Sequence, residues 1–158
     1  MHSADPEWLD DDEQEAWRAF VHGSTQVIRL LERDLLERHD LSIDDYGLLA
    51  KLSEAPDERL RFGDLADVLH LPKANLTYRF KRLEAAGLVE RQDCDTDRRG
   101  AFACLTRLGR KRLDEAAPDH VAAVRRHVIA PLSRPQLRQV GQAMAELLAA
   151  AKEQAPQG

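Results

Sequence analysis

Pro72 and Gly87 bound a single helix, and the chain on either side has to accommodate it. The segment PKANLTYRFKRLEAAGLVER starts with a proline, whose missing N–H and fixed φ suit a first helical position. Gly87 is the residue type that most readily takes left-handed backbone just past a helix end. Between them Leu76, Phe80 and Leu83 recur at steps of four and three, one apolar stripe that packs against the helices before it.

Those neighbours follow from local signals. RLRFGDLADVLHL predicts a short helix over Leu65, Ala66 and Leu69, and a tight connection at His70–Pro72. After Gly87, β-friendly runs at 88–92 and 101–106 flank a polar tip with Gly100, the pattern of a β-hairpin with a long loop. Two short helices joined by a tight turn and followed by a hairpin make a winged helix-turn-helix. The expected fold class is mainly α with a small β-hairpin wing.

Helices are expected at both ends. Residues 1–11 read as a loose acidic tail. From about 13 to 38, Trp17, Phe20, Val21, Val27, Ile28, Leu31 and Leu35 form a long amphipathic stripe. Ser42 with Asp45 three residues on is a weaker relative of the capping box, and Pro56 stops the helix that follows. A helical block covers about 107–131, and a last helix begins at Ser133–Pro135. Its Leu137, Val140, Met144, Leu147 and Ala151 make a heptad-like seam that wants a partner helix. The chain divides into an acidic tail (1–11), an N-terminal dimerisation helix (12–39), a winged helix-turn-helix domain (40–106) and C-terminal dimerisation helices (107–154).

Charge sharpens the picture. The chain carries −5 overall, yet residues 73–112 hold eleven Lys or Arg and five Asp or Glu, a local +6 that leaves −11 elsewhere. A positive block on a negative body is what a nucleic-acid face needs. On a helical wheel, the face opposite Leu76, Phe80 and Leu83 centres on Ala74, Tyr78 and Lys81, flanked by Asn75, Thr77 and Arg82, with Lys73 at the start. These side chains suit a major groove: Asn pairs with adenine, Thr and Tyr meet base edges or phosphates, Lys reaches guanine or phosphate. Arg79 lies nearer the apolar edge, to contact phosphate or to pair with an acid. In the hairpin tip, DTDRRG sets Arg98 and Arg99 beside Asp95 and Asp97. Arginine entering a narrow minor groove reads shape, and an adjacent carboxylate fixes the guanidinium.

The run LADVLHLPKANLTYRFKRLEAAGLVERQDCDTDRRGAFACLT, followed by LGRKRL, resembles the MarR family of transcriptional regulators. The likeness lies in the helix-turn-helix, RLEAAGLVER, the aspartate–arginine wing and a closing LT..G. It covers roughly residues 25–150, and WLDDDEQEAWRAF is similar to an actinobacterial subset. The resemblance implies a homodimer, usually a repressor, on a pseudo-palindromic duplex; the expected compartment, from the cysteine usage and the lack of a span or signal peptide, is the cytoplasm. Its recognition helix runs from Pro72 to Gly87, Arg99 enters the minor groove and Asp97 holds it. Many relatives have Ser at the position of Pro72 and Arg at that of Tyr78, so the base-reading code does not carry over. The family often binds small, usually anionic aromatic effectors, for which Trp17, Phe20, His39 and Tyr46 are the candidate lining residues, against plain core packing.

Other classes have less support. The chain shows no glycine-rich phosphate loop, no metal-ligand cluster and no nucleophile paired with a base, so neither catalysis nor a cofactor is expected. His120 and His127 share a helix face two turns apart, a poor metal site without a third ligand. Cys94 and Cys104 lie on the wing strands and give no disulfide framework; an ordinary thiol is the expectation for each. No apolar run approaches the length of a membrane span, and the acidic N-terminus is no signal peptide. The competing function is a winged-helix module for protein contacts without specific DNA binding.

Overall fold

The computed structural model describes residues 7–93 and 101–154. Helix α1 (Asp11–His39) begins two residues before the expected start. Asp10 accepts from the amide of Glu13 while Glu13 accepts from the amide of Asp10, a reciprocal capping box. Asp11, Asp12 and Glu13 fill the first turn, where the helix dipole favours acids. The acidity that reads as a tail is, from Asp10 onward, helix-start chemistry.

Helix α2 (Ile43–Glu54) has the full capping box between Ser42 and Asp45. Its Leu48, Leu49 and Leu52 are wholly buried and form the centre of the core. Beyond Pro56 the chain turns through Asp57 and Glu58, both at φ 54°, into strand β1 (Arg59–Arg61). This strand is a departure from expectation: three residues are too few to show a period, and they are held by pairing with a distant strand. Helix α3 (Phe62–Leu69) then ends on His70, left-handed at φ 52°. The amides of His70 and Leu71 close back on Asp67 and Ala66.

Helix α4 (Lys73–Ala85) is the basic helix, and Pro72 is its N-cap rather than its first turn. With ψ at 139°, Pro72 is still extended, so the helix starts one residue later than expected. At the other end the Leu88 amide donates to Leu83 and the Gly87 amide to Glu84, with Gly87 at φ 73°. This is the Schellman closure that favours glycine. Strands β2 (Val89–Asp93) and β3 (Ala101–Leu105) follow, and the antiparallel sheet has the order β1-β3-β2. Leu60, Ala103, Val89 and Leu105 face the core together.

Helix α5 (Arg107–Val124) is capped by Thr106, whose Oγ1 accepts from the amide of Gly109. The same hydroxyl donates to the Gly87 carbonyl at 2.7 Å, and the Thr106 amide donates to Leu88 at 3.2 Å. Arg110 reaches Glu58 and the Ser53 carbonyl, tying α5 to the turn after α2. Pro118 lies inside α5 and removes one ladder donor. A π-helical turn at Arg125–Ile129 ends this block, and α6 (Arg134–Gln154) follows a Ser133–Gln136 cap.

Only Leu31 and Leu35 of α1 are buried, and α6 buries nothing. Trp17, Phe20 and Ile28 of α1, with Val140, Met144, Leu147 and Leu148 of α6, are exposed. Two apolar stripes are thus left uncovered by the described residues of one chain.

A Cβ built on Gly109 would lie 2.0 Å from the Leu88 carbonyl oxygen. Gly109→Ala should therefore destabilise by about 1–3 kcal/mol, more than the roughly 1 kcal/mol of helix propensity it gains. Thermal unfolding followed by circular dichroism checks this; an unchanged or higher Tm would mean that the joint relaxes freely.

Candidate nucleic-acid interface

The outward side of α4 is built by its inward side. Leu76, Phe80 and Leu83 are each at most 3% exposed, and Phe80 meets Phe62 edge to face at 4.6 Å between centroids. With that stripe seated, Lys73, Ala74, Asn75, Thr77, Tyr78 and Lys81 all face solvent. Tyr78 is 74% exposed, far more than a packing role would leave. Thr77 donates back to the Lys73 carbonyl at 2.9 Å, which orients its hydroxyl along the helix. Lys73 and Lys81 make no ion pair among the described residues.

The two arginines of α4 differ from the lysines. Arg79 pairs with Asp44 and lies 3.9 Å from Asp45, which settles the open choice for this residue in favour of an acid in the free chain. Arg82 pairs directly with Asp45. It therefore does not stand free as the helical wheel suggests. The partners sit in the first turn of α2, where the sequence spacing gives Asp45 only a capping role beside Ser42. The signal for this pairing is weak in sequence: two acids at a helix start and two arginines three apart on a later helix.

Arg98, Arg99 and Asp97, with Asp95, Cys94 and Gly100, lie outside the described residues. The base of the wing carries its own cations. Arg59 and Arg61 of β1 both stand over the Phe102 ring, at 5.1 and 5.4 Å, and Arg91 stands over Phe62 at 5.2 Å. Cys104 is buried, and burial first, then Glu90, pushes its thiol up against a smaller opposing pull from Arg59. A thiol held protonated is a poor nucleophile.

The four residues named as an effector pocket do not converge in one chain. Trp17 and Phe20 stack on each other at 6.1 Å near the exposed start of α1. His39 lies at the other end, about 33 Å away along the helix axis, bonded to Asp119 at 3.0 Å. Tyr46 packs on His120 at 4.3 Å. The cavity beside His39, lined by Leu31, Leu35, Arg38, Asp119 and His120 among others, measures about 30 Å³, room for a water and no organic effector. Chemically, this junction of α1 and α5 is a set of His–carboxylate contacts. The His39 hydrogen bond, then Arg38, holds the Asp119 carboxyl below its usual range against partial burial. Burial lowers the His120 imidazole, whose Nδ1 has no hydrogen-bond partner. Burial, with Glu54 adding to it, raises the Tyr46 phenol. Among the described residues no group of three His, Cys, Asp or Glu could hold a metal ion, and no helix is long and apolar enough to cross a membrane.

The geometry has close counterparts. A family model described as MarR family matches residues 39–100. AbsC of Streptomyces coelicolor, a MarR family transcriptional regulator, is 38% identical with a TM-score of 0.89, covering 94% of this chain and 100% of that one. Sco3205 of the same organism, a MarR family transcriptional regulator solved in complex with DNA, is 37% identical with a TM-score of 0.90, covering 97% and 95%. The HTH-type transcriptional regulator MhqR of Bacillus subtilis (strain 168) is 30% identical over 89 residues. That match takes in 56% of this chain and 60% of MhqR.

The α1–α5 junction makes a pH prediction. Unfolded, His120 takes a proton near 6.5; folded, only at lower pH. Its contribution to stability is complete above 6.5 and is lost as pH falls from there toward the folded value. Asp119 works in a separate, more acid window, its contribution present above 3.8 and lost as pH falls through its lowered folded value. Between pH 7.5 and 5.5 the Tm of His120→Phe should fall less than that of the unsubstituted protein. Parallel Tm profiles would remove His120 as the cause.

Proposed function

This chain belongs to the MarR family of winged-helix transcriptional regulators, and on that premise we propose that it is a homodimeric repressor of a pseudo-palindromic operator. In this reading α4 enters the major groove and presents Lys73, Asn75, Thr77, Tyr78 and Lys81 to bases and phosphates. Arg98 and Arg99 of the wing reach the minor groove, with Asp97 holding Arg99. The observation that carries the reading is the solvent-facing side of α4, whose two lysines make no ion pair among the described residues and stand beside an asparagine, a threonine and a 74%-exposed tyrosine. Two such lysines on a helix of the width that fits the major groove are suited to a polyanion. That Sco3205 was solved in complex with DNA supports the same reading.

Dimerisation is supported by the uncovered stripes of α1 and α6, exposed apolar surface of the kind that marks an interface. In this division 12–39 and 107–154 join the two copies and 40–106 reads DNA. Release by a small aromatic anion belongs to the same proposal. Trp17 and Phe20 lie near the start of α1, far from His39 at its end and Tyr46 on α2, so a pocket lined by all four would need a second copy to bring them together.

Fluorescence anisotropy tests the core of this. Duplex from the chain's own upstream region should bind more tightly than scrambled duplex, with affinity falling steeply as salt rises. Arg99→Ala should weaken operator binding by about 1–3 kcal/mol, and Lys73→Ala or Lys81→Ala should each lower the salt slope by about one. Weak and equal binding to both duplexes, repeated with a random-library selection, would replace this function with a protein-interaction role.

A further inference from the structure

We propose that Asp45 is a positioning residue for DNA reading: through Arg82 and Arg79 it sets the rotation of α4, so these arginines serve the interface from behind rather than as phosphate contacts. The proposal rests on the DNA-binding reading for its consequence, and on geometry alone for the tether.

Asp45 is the one buried charged residue among those described, at 1% exposure. A carboxylate is kept there by what surrounds it. Oδ2 accepts from the Ser42 amide at 3.3 Å and pairs with Arg82. The first turn of α2 adds the positive end of its dipole. Oδ1 makes no hydrogen bond, and a guanidinium nitrogen of Arg79 lies 3.9 Å from it. Asp44 takes Arg79 on the more exposed side. Two acids at one helix start thus hold two arginines three residues apart on α4.

The apolar stripe of α4 cannot do this by itself. Leu76, Phe80 and Leu83 fix that the helix is seated, but a row of aliphatic and aromatic contacts is non-directional and tolerates small rolls. Arg79 and Arg82 flank Phe80 along one edge of the seat, and each ends on a fixed carboxylate. Ion pairs of this kind weaken as the charges separate. A roll that carried this edge away from α2 would lengthen them, the opposite roll would press the guanidiniums onto Asp44 and Asp45, and either would move Asn75, Tyr78 and Lys81 across the groove.

The burial of Asp45 also decides between two roles for Arg82. If Arg82 swung to a DNA phosphate, it would leave a buried carboxylate with its nearest partner gone, which is strongly unfavourable. Lys73 and Lys81 face no such penalty, because they leave nothing behind. Arg82 is 54% exposed along its side chain, so it is near the duplex in this reading, yet its charged end is already committed.

The test uses the full-length protein with Asp45→Asn, Arg82→Gln and the double variant. In the absence of DNA, hydrogen exchange by mass spectrometry should show faster exchange across α4 in each single variant, with α5 unchanged. The double variant should exchange no faster than the worse single. With DNA, at a temperature where each variant is folded, the ratio of operator to scrambled affinity should fall at least tenfold while the salt slope stays the same. If Asp45→Asn melts too low to assay, Arg82→Lys carries the same comparison, since it keeps the charge and loses the planar fork. Unchanged α4 exchange in the single variants would overturn the tether. A salt slope lowered by about one in Arg82→Gln, with α4 exchange intact, would make Arg82 a phosphate contact instead. If the unsubstituted protein prefers no duplex, the DNA reading fails, and the exchange comparison still decides whether Asp45 holds α4.

Discussion

The carbonyl of Leu88 is where the moving parts of this fold are joined. Its own amide closes the end of α4, its oxygen receives the amide of Thr106, and Gly109 passes so close that no side chain fits between. Thr106 adds a hydroxyl bond to Gly87 and caps α5 with the same oxygen. Within a few residues the end of the basic helix, the first strand of the wing and the start of α5 become one rigid corner. If this corner opened, the sheet would lose its register to α4, and the face that carries Tyr78 and Lys81 would lose its fixed relation to the wing.

Much of that corner is legible in sequence because it depends on residues with unusual backbone requirements. Gly87 is readable as a helix end because few other residues take positive φ without strain, and Pro72 as a helix start because it has no donor to lose. The LT..G pattern is readable for a related reason: threonine caps, and glycine permits close approach. The elements that escaped were those whose cause lies elsewhere in the chain. Strand β1 is three residues long and exists because β3 pairs with it. The start of α1 hides in an acidic run, since Asp and Glu are as typical of a solvated tail as of a capped first turn. Pro72 was displaced by one position, the difference between lending a carbonyl to the first turn and joining it.

The candidate site divides in the same way. A helical wheel separates the exposed residues of α4 from the buried ones, because that depends only on the period of one segment. It cannot separate a free cation from a paired one. Lys81 and Arg82 are adjacent and both project from the helix, yet one is unpaired among the described residues and the other ends on a carboxylate of α2. The wheel has no knowledge of α2. Distribution of acids is thus as informative as that of bases: the acids of α2 select which arginines remain available. The residues assigned to an effector pocket illustrate the opposite limit, since the family resemblance puts Trp17 and His39 on one list while α1 holds them far apart.

Helix α5 has a mechanical consequence. It is a rod of 18 residues, about 27 Å long, joined at its lower end to α4 through the Leu88 corner and at its upper end packed against α1 beside Asp119 and His120. Such a rod is a lever. A tilt of about 10° about its upper end sweeps the lower end through roughly 5 Å, more than the 3.4 Å rise between successive bases on one strand. A tilt at the top of the molecule is therefore multiplied at the bottom into a displacement of the corner that carries α4.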